Sequence, residues 1–328
     1  KPLLIARLVG NFLKIFILGL KPLRYVDFAV DYRCNLRCEH CFATTLEDNA
    51  RRVITSDDFR RVANEAMRLG AVNFSFQGGE PTMLPKLSEF IKAASPCKNL
   101  ISVTTNGTLL NEARVKELKG SGVDILTISL DSGIAQEHDS FRKMPGAFEK
   151  ALNAARLAIK HGMNVTIGST VSHQSIRSRG FLELIELTKQ MNVLLFVALA
   201  SPLGRWSKKE EVLLDDDDRK YLRGLLAKFS HVRTDFEANY VHYGCGAVKE
   251  ILYITPYGDV MPCPFIHISF GNVKEESLGV IRERALRNRY FDKYYKKCIA
   301  CERGQFMDEI LPKVYESDQL PVSHNKVF

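Results

Sequence analysis

Three cysteines fall close together in the pattern Cys34-x3-Cys38-x2-Cys41. Thiolates at that spacing can wrap a compact inorganic cluster. A structural zinc ion wants a closed set of four ligands, and no fourth cysteine stands near these three. A cubane held by three sulfurs keeps one iron open, and an open position separates a reactive centre from a structural one. Cys245, Cys263, Cys298 and Cys301 form a second set, enough to close one further cluster. Because Cys298-x2-Cys301 is also a zinc-knuckle spacing, the residues alone leave zinc open there. In Gln77-Gly78-Gly79-Glu80-Pro81 two glycines let the backbone approach a ligand closely, and Glu80 can accept from an ammonium group. Such a turn is commonplace; its weight comes from its place one strand after the cysteine loop. Cys97, between Pro96 and Lys98, reads as a partly buried loop residue away from these groups.

The elements that must hold these groups follow from periodicity. Apolar runs at 24–31, 71–76, 100–104, 123–130, 163–170 and 193–199 read as strands. Amphipathic segments at 55–69, 86–94, 111–119, 146–161 and 180–190 read as the helices between them. Such alternation makes an α/β fold with a parallel sheet and right-handed crossovers, whose active groups gather at the carboxyl ends of the strands. The cysteine loop follows the first strand and the Gly-Gly-Glu turn the second. At 328 residues, 45% apolar and 26% charged, the chain can bury a large core and is neither disordered nor collagen-like. The net charge of +8 is a mild basic excess that suits an anionic partner without selecting one. Clustered thiols without a secretory signal pattern lead us to expect a reducing, cytoplasmic compartment.

Four segments are expected: an amphipathic helix at 1–23, the core at 24–206, a linker helix at 207–240 and a metal-bound module at 241–328. Residues 3–20 are apolar except for Arg7, Asn11 and Lys14, a narrow polar stripe that Gly19 and Pro22 end. Two basic residues near its middle make it a poor bilayer span. It either packs against its own domain or a second subunit, the commoner case, or lies on a membrane surface, which would make the protein membrane-peripheral. The four consecutive aspartates at 215–218 read as the solvated start of a helix over 216–229, not as a metal site. Residues 278–297 read as a basic helix.

In order and separation these motifs resemble those of radical S-adenosylmethionine enzymes, over 24–206 for the core and as far as 301 through the second cysteine set. The resemblance implies a partial (β/α)6 barrel. It also implies that Cys34, Cys38 and Cys41 hold a 4Fe–4S cluster whose fourth iron chelates the amino and carboxylate groups of S-adenosylmethionine. Gly78, Gly79, Glu80 and Pro81 would form the turn that receives the methionine amino group. Thr104 and Asn106 after the third strand, and Ser129 and Asp131 after the fourth, would line the cofactor pocket, the last two near the ribose. Thr170 and Leu199 end the fifth and sixth strands. The loop 138–142, with Arg142, resembles that of the peptide-modifying branch. The family commonly has an aromatic residue before its third cysteine; here it is His40, whose flat imidazole can serve beside the adenine.

Residues 253–264 resemble the twitch extension, the shorter relative of SPASM: a hairpin whose Gly-Asp turn delivers Cys263. By this resemblance Cys245, Cys263, Cys298 and Cys301 hold one auxiliary 4Fe–4S cluster, not two, since no cysteine follows Cys301. The implied activity is reductive cleavage of S-adenosylmethionine to a 5′-deoxyadenosyl radical that abstracts hydrogen from a peptide or small metabolite, giving a cross-link, oxidation or epimerisation. A flavodoxin or ferredoxin would supply electrons. A lipid or other membrane-borne substrate is the alternative, motivated by the helix at 3–20. A tRNA substrate would rest on the basic run at 282–297 alone, which has no RNA-binding module beside it. No acid, base or hydrogen donor is singled out: Tyr32, Arg205, Glu237, Tyr240 and Tyr243 lie in loops that can face the site, and nothing ranks them.

Overall fold

The computed structural model of the chain describes residues 1–234 and 239–328. Its core is a parallel sheet of β1 (Tyr25–Asp31), β2 (Asn73–Gly78), β3 (Leu100–Thr105), β4 (Ile125–Ser129), β5 (Asn164–Val171) and β6 (Leu194–Leu199), each bonded to the next. β7 (Val232–Thr234) extends the sheet beyond β6. At the other edge β8 (Ile251–Ile254) pairs in parallel with β1, and β9 (Val260–Met261) runs antiparallel to β8. The order is β7-β6-β5-β4-β3-β2-β1-β8-β9, so the barrel stays open. β8 lies in the stretch expected to form a module of its own, yet it continues the sheet of the core.

The helices are α1 (Pro2–Leu18), α2 (Ser56–Arg68), α3 (Leu87–Ala93), α4 (Glu112–Ser121), α5 (Ala135–Arg142), α6 (Ala147–Lys160), α7 (Arg179–Gln190), α8 (Asp216–Lys228), α9 (Leu278–Leu286) and two short ones near the C-terminus. α2 opens on a capping box between Thr55 and Asp58, and its inner face carries Phe59, Val62, Ala63 and Ala66. Phe59 stacks on Phe28 of β1 at 4.3 Å between centroids, tying helix to sheet. The aspartate run has the same use: Asp215 and Asp218 form the capping box of α8. Asp218 is also paired with Arg177 and His173, so its charge is already met.

Over β4 and β5 one face of the sheet is sealed and the other is not. Along β5, Val165, Ile167, Ser169 and Val171 are buried, whereas Thr166, Gly168 and Thr170 are half-buried. Thr127 and Ser129 of β4 stand in register with Thr166 and Gly168 and are half-buried too. A barrel filled by its own side chains would put bulky branched residues on that face. Here it carries hydroxyls and a glycine, which leaves room for a guest.

Three expectations are corrected. Residues 138–142 are not a loop but the last turns of α5, because His138 and Arg142, four apart, share its buried face. The basic helix stops at Leu286 instead of reaching 297. Asn288 accepts the Tyr290 N–H at 3.0 Å, and the chain turns to bury Tyr290 and Phe291. Cys97 is exposed, not partly buried.

Candidate active site

The carboxyl ends of β1 to β6 bring the predicted residues together. Cys34, Cys38 and Cys41 follow β1 directly. The Leu36 N–H points at the Cys34 sulfur from 3.4 Å, and the Arg142 guanidinium reaches the Cys38 sulfur at 3.6 Å. Desolvation pushes the Cys34 thiol up to about 12, with Glu80, Cys38 and Cys41 adding to the rise. The Cys38 thiol is raised by burial and restrained by Arg142. Thiols in this setting stay protonated unless a cation takes the charge.

The glycines at the end of β2 have a use that the sequence did not disclose. Gly78 has φ of 133°, and a Cβ there would lie 2.1 Å from the Asp31 carbonyl oxygen. A Cβ on Gly79 would lie 2.1 Å from that of Arg33. The N–H groups of Gly79 and Glu80 donate to these same two carbonyls at 2.7 and 2.9 Å. The turn is therefore fastened flat against the start of the cysteine loop, and only glycine permits it. Gly79→Ala is expected to force the two loops apart and cost about 2 kcal/mol or more in urea unfolding. If its unfolding midpoint matched wild type, the close fit would have no energetic weight.

Glu80 is buried and already well supplied. One carboxylate oxygen accepts from the Thr82 N–H (3.0 Å), the Thr82 hydroxyl (2.5 Å) and the Thr105 hydroxyl (2.6 Å); the other accepts from the Asn106 N–H at 2.7 Å. It clamps the β2 turn to the end of β3, and the remaining acceptor capacity is on the second oxygen. Pro81 follows, buried. The Asn106 amide donates to Asn35 Oδ1 at 2.9 Å and lies 4.0 Å from the Cys34 sulfur. Thr104, one residue from the end of β3, is half-buried.

Asp131, just past Ser129 at the end of β4, is the second buried carboxylate. It takes Arg142 Nε at 2.6 Å, and the Thr170 N–H points to it from 3.4 Å. Burial pushes its carboxyl up, but Arg142, His40 and His138 outweigh that and hold it below the usual range. Arg142 therefore joins Asp131 to Cys38. His40 stacks on Phe141 at 4.7 Å between centroids, with Trp206 at 5.8 Å. Its Nδ1 is buried without a hydrogen-bond partner among the described residues.

The second cysteine set meets this mouth at β6. The Cys301 sulfur lies 3.7 Å from the Leu199 carbonyl, and Ser201 Oγ donates to the Ala300 carbonyl at 3.1 Å. Cys263 follows the hairpin of β8 and β9, which turns at Gly258 (φ 92°). Burial pushes the Cys245 thiol up to about 11, with Cys298 adding to the rise. The Cys263 thiol is raised by burial and then by both Cys245 and Cys298. None of the eight cysteines is in a disulfide.

Among the loop residues the sequence left unranked, Arg205 donates its backbone N–H to the Cys41 carbonyl at 3.1 Å. Tyr32 is buried against the Tyr253 hydroxyl at 3.2 Å, Tyr240 is engaged by Asn11 of α1 at 2.6 Å, and Tyr243 is exposed. Glu237 lies outside the described residues. Sequence reasoning missed Phe141, Trp206 and Tyr253; an aromatic one residue before Arg142 was the available signal for the first.

Comparison with known proteins gives this arrangement its class. Residues 30–185 match the radical SAM superfamily and residues 245–302 match SPASM, an iron–sulfur cluster-binding domain. The chain is an enzyme of the radical SAM superfamily with a C-terminal SPASM-type domain. It is 25% identical over 310 residues to the AdoMet-dependent heme synthase of Methanosarcina barkeri, covering 85% of this chain and 88% of that protein. It is 24% identical over 295 residues to the PqqA peptide cyclase of Granulibacter bethesdensis, covering 84% and 78%. The crystal structure of Streptococcus suis SuiB bound to precursor peptide SuiA shares the fold, with TM-score 0.70 and 18% identity over 96% of this chain and 77% of that one. Proteins of this class carry a 4Fe–4S cluster with S-adenosylmethionine, and their SPASM domains carry auxiliary iron–sulfur clusters.

The residues present suit such groups. Among the described residues only His173, Asp215 and Asp218 bring three ligand atoms within 4.8 Å of one another. A single zinc ion about 2.3 Å from each sulfur would draw thiolates to about 3.8 Å apart. Both cysteine sets are wider than that, yet close enough for their sulfurs to feel one another's charge. That spread fits a multi-atom cluster better than one ion. The unpartnered Nδ1 of His40 and the hydroxyl-lined face likewise leave polar capacity for a guest.

Proposed function

We propose that Cys34, Cys38 and Cys41 hold the S-adenosylmethionine-binding cluster, that Cys245, Cys263, Cys298 and Cys301 hold one auxiliary cluster, and that the enzyme abstracts hydrogen from a peptide or small metabolite. The observation that carries this reading is the three-thiol loop set at the carboxyl ends of a sheet whose inner face is half open and polar. When bound, the cofactors supply a 5′-deoxyadenosyl radical that removes hydrogen from a substrate carbon.

The chain's own residues orient and shield. The turn Gly78–Gly79–Glu80–Pro81 fixes backbone groups beside the open side of the cysteine loop, with Glu80 holding it to Thr104–Asn106. Ser129, Thr170 and Asp131 line the pocket beyond, with Asp131 kept ionised by Arg142. The His40–Phe141–Trp206 group closes one side against water and offers a flat face to the adenine. Leu199 marks the seam where the second thiol set adjoins the pocket. Relatives named as heme synthases and as a peptide cyclase support both substrate kinds.

A flavodoxin or ferredoxin as electron donor, and a cytoplasmic location with peripheral membrane contact, belong to the same reading; nucleic acid does not. A membrane-borne substrate is the second reading, favoured by the outward apolar face of α1 (Phe16 and Ile17 are each 72% exposed). Anaerobic reconstitution followed by S-adenosylmethionine and dithionite tests the chemistry. 5′-Deoxyadenosine is the expected product, and its absence from a sample with full iron content would end the proposal.

A further inference from the structure

α1 is mounted inside out. An ordinary surface helix turns its apolar stripe to the protein and its polar stripe to water. In α1 it is the polar stripe that docks. Arg7 donates to the carbonyls of Met67 (3.2 Å), Ala71 (2.5 Å) and Lys98 (3.2 Å), and also bonds the Asn99 side chain. Asn11 is buried and donates to the Gly70 carbonyl at 2.7 Å. Leu4, Leu8 and Ile15 are half-buried beside that stripe, and the other large apolar residues of the helix point to solvent. Nine of the nineteen large hydrophobic side chains that are exposed among the described residues lie between 3 and 20. No helix there is long and apolar enough to cross a membrane.

The patch continues past the helix and has a charged rim. Phe12 meets Tyr240 at 5.4 Å between centroids, which brings exposed Val241 and Tyr243 beside it. Lys21, next after the helix, donates to the Asp292 carbonyl at 2.7 Å, so the stretch 287–297 adjoins the same end. That stretch exposes Arg287, Lys293, Lys296 and Lys297 against the single acid Asp292, and also Arg289, which pairs with Glu309 at 2.6 Å. An apolar face rimmed by cations complements a surface with hydrocarbon beneath anionic headgroups. A second copy of this chain fits poorly. A two-fold contact would cover the apolar face but give the basic rim no acidic partner from the helix, since residues 1–20 carry no Asp or Glu.

The geometry points to α1 as a monotopic anchor that lies in the interface of an anionic membrane, with Phe16 and Ile17 inserted and the basic rim of Lys21 and 287–297 on the headgroups. This deepens the peripheral contact named above and rests on the surface alone, independent of the radical chemistry.

The test is flotation of the reconstituted full chain with two kinds of vesicle, phosphatidylcholine alone and phosphatidylcholine mixed with phosphatidylglycerol. Wild type should float with the mixed vesicles and about tenfold less with the neutral ones. Phe16→Asp with Ile17→Asp should lower partition about tenfold or more, with iron content and unfolding midpoint unchanged, since both side chains are exposed. Lys21→Glu with Lys293→Glu should erase the preference for the anionic vesicles. Equal partition of wild type and the Phe16→Asp, Ile17→Asp variant would overturn the inference, as would equal binding to both vesicles. So would a wild-type dimer in light scattering that this variant disperses without any flotation. Loss of S-adenosylmethionine cleavage would leave every one of these readouts intact, so the two readings fail separately.

Discussion

Replacing Cys34, Cys38 and Cys41 together by alanine should lower 5′-deoxyadenosine formation at least about a thousandfold and remove about half of the bound iron. The reason lies in the chemistry of the loop. The Cys34 and Cys38 thiols are raised by burial, so they gain most from a cation that takes the proton's place. Iron that we assign to Cys245, Cys263, Cys298 and Cys301 should survive, because those thiols come from other segments of the chain, Cys301 lying against Leu199 of β6. Iron quantification with anaerobic absorption and paramagnetic resonance spectra checks both halves. A triple variant that kept all its iron, or kept its turnover, would assign the chemistry to the wrong thiols.

The second large effect concerns Arg142, which is buried and serves two partners, Asp131 at 2.6 Å and the Cys38 sulfur at 3.6 Å. Arg142→Leu would strand the Asp131 carboxylate in the interior. Breaking a buried pair in this way costs about 3–5 kcal/mol, far more than a surface pair. Adding Asp131→Asn should recover most of that loss, since no unpaired charge then remains. The pH dependence has a definite sign. The folded state holds Asp131 below its usual value, so its contribution is fully present above the unfolded value of about 3.9 and fades as pH falls through the lower, folded one. The difference in urea midpoint between wild type and Asp131→Asn should thus be level near neutrality and narrow only in acid. A difference that shrank between pH 8 and pH 6 would assign the effect to another group.

Much of this was readable in the residues, and the omissions have physical causes. Strand and helix alternation placed β1 to β6 within about two residues, because each strand is an apolar run closed by a glycine stop or a cap. The thiol sets stood out because the chain has few cysteines and seven of the eight fall in two groups. The engagement of Glu80 was not legible: two of its four donors belong to Thr82 and the other two to Thr105 and Asn106, which only the β2–β3 pairing brings near. The glycines beside it looked like an approach to a ligand, whereas their close neighbours are the carbonyls of Asp31 and Arg33. The helical nature of 135–142 was hidden by its shortness and polarity, since its packed residues are His138 and Arg142 in place of apolar ones. For α1 the sequence showed the stripe but not its direction. Which side meets the protein depends on the carbonyls of Met67, Gly70, Ala71 and Lys98, which accept from Arg7 and Asn11, and no periodicity reports those.

The pairing of β8 with β1 carries a hazard for handling. β1 reads Tyr-Val-Asp-Phe-Ala-Val-Asp and has buried residues throughout its middle, a composition suited to the centre of a sheet. Only four register pairs from β8 cover its outer side. If oxygen strips iron from the C-terminal thiols and loosens that layer, a long flat edge is bared, with its amide and carbonyl groups ready to template another chain. Air-exposed preparations would then form precipitates rich in intermolecular sheet, and anaerobic purification would protect solubility as much as turnover.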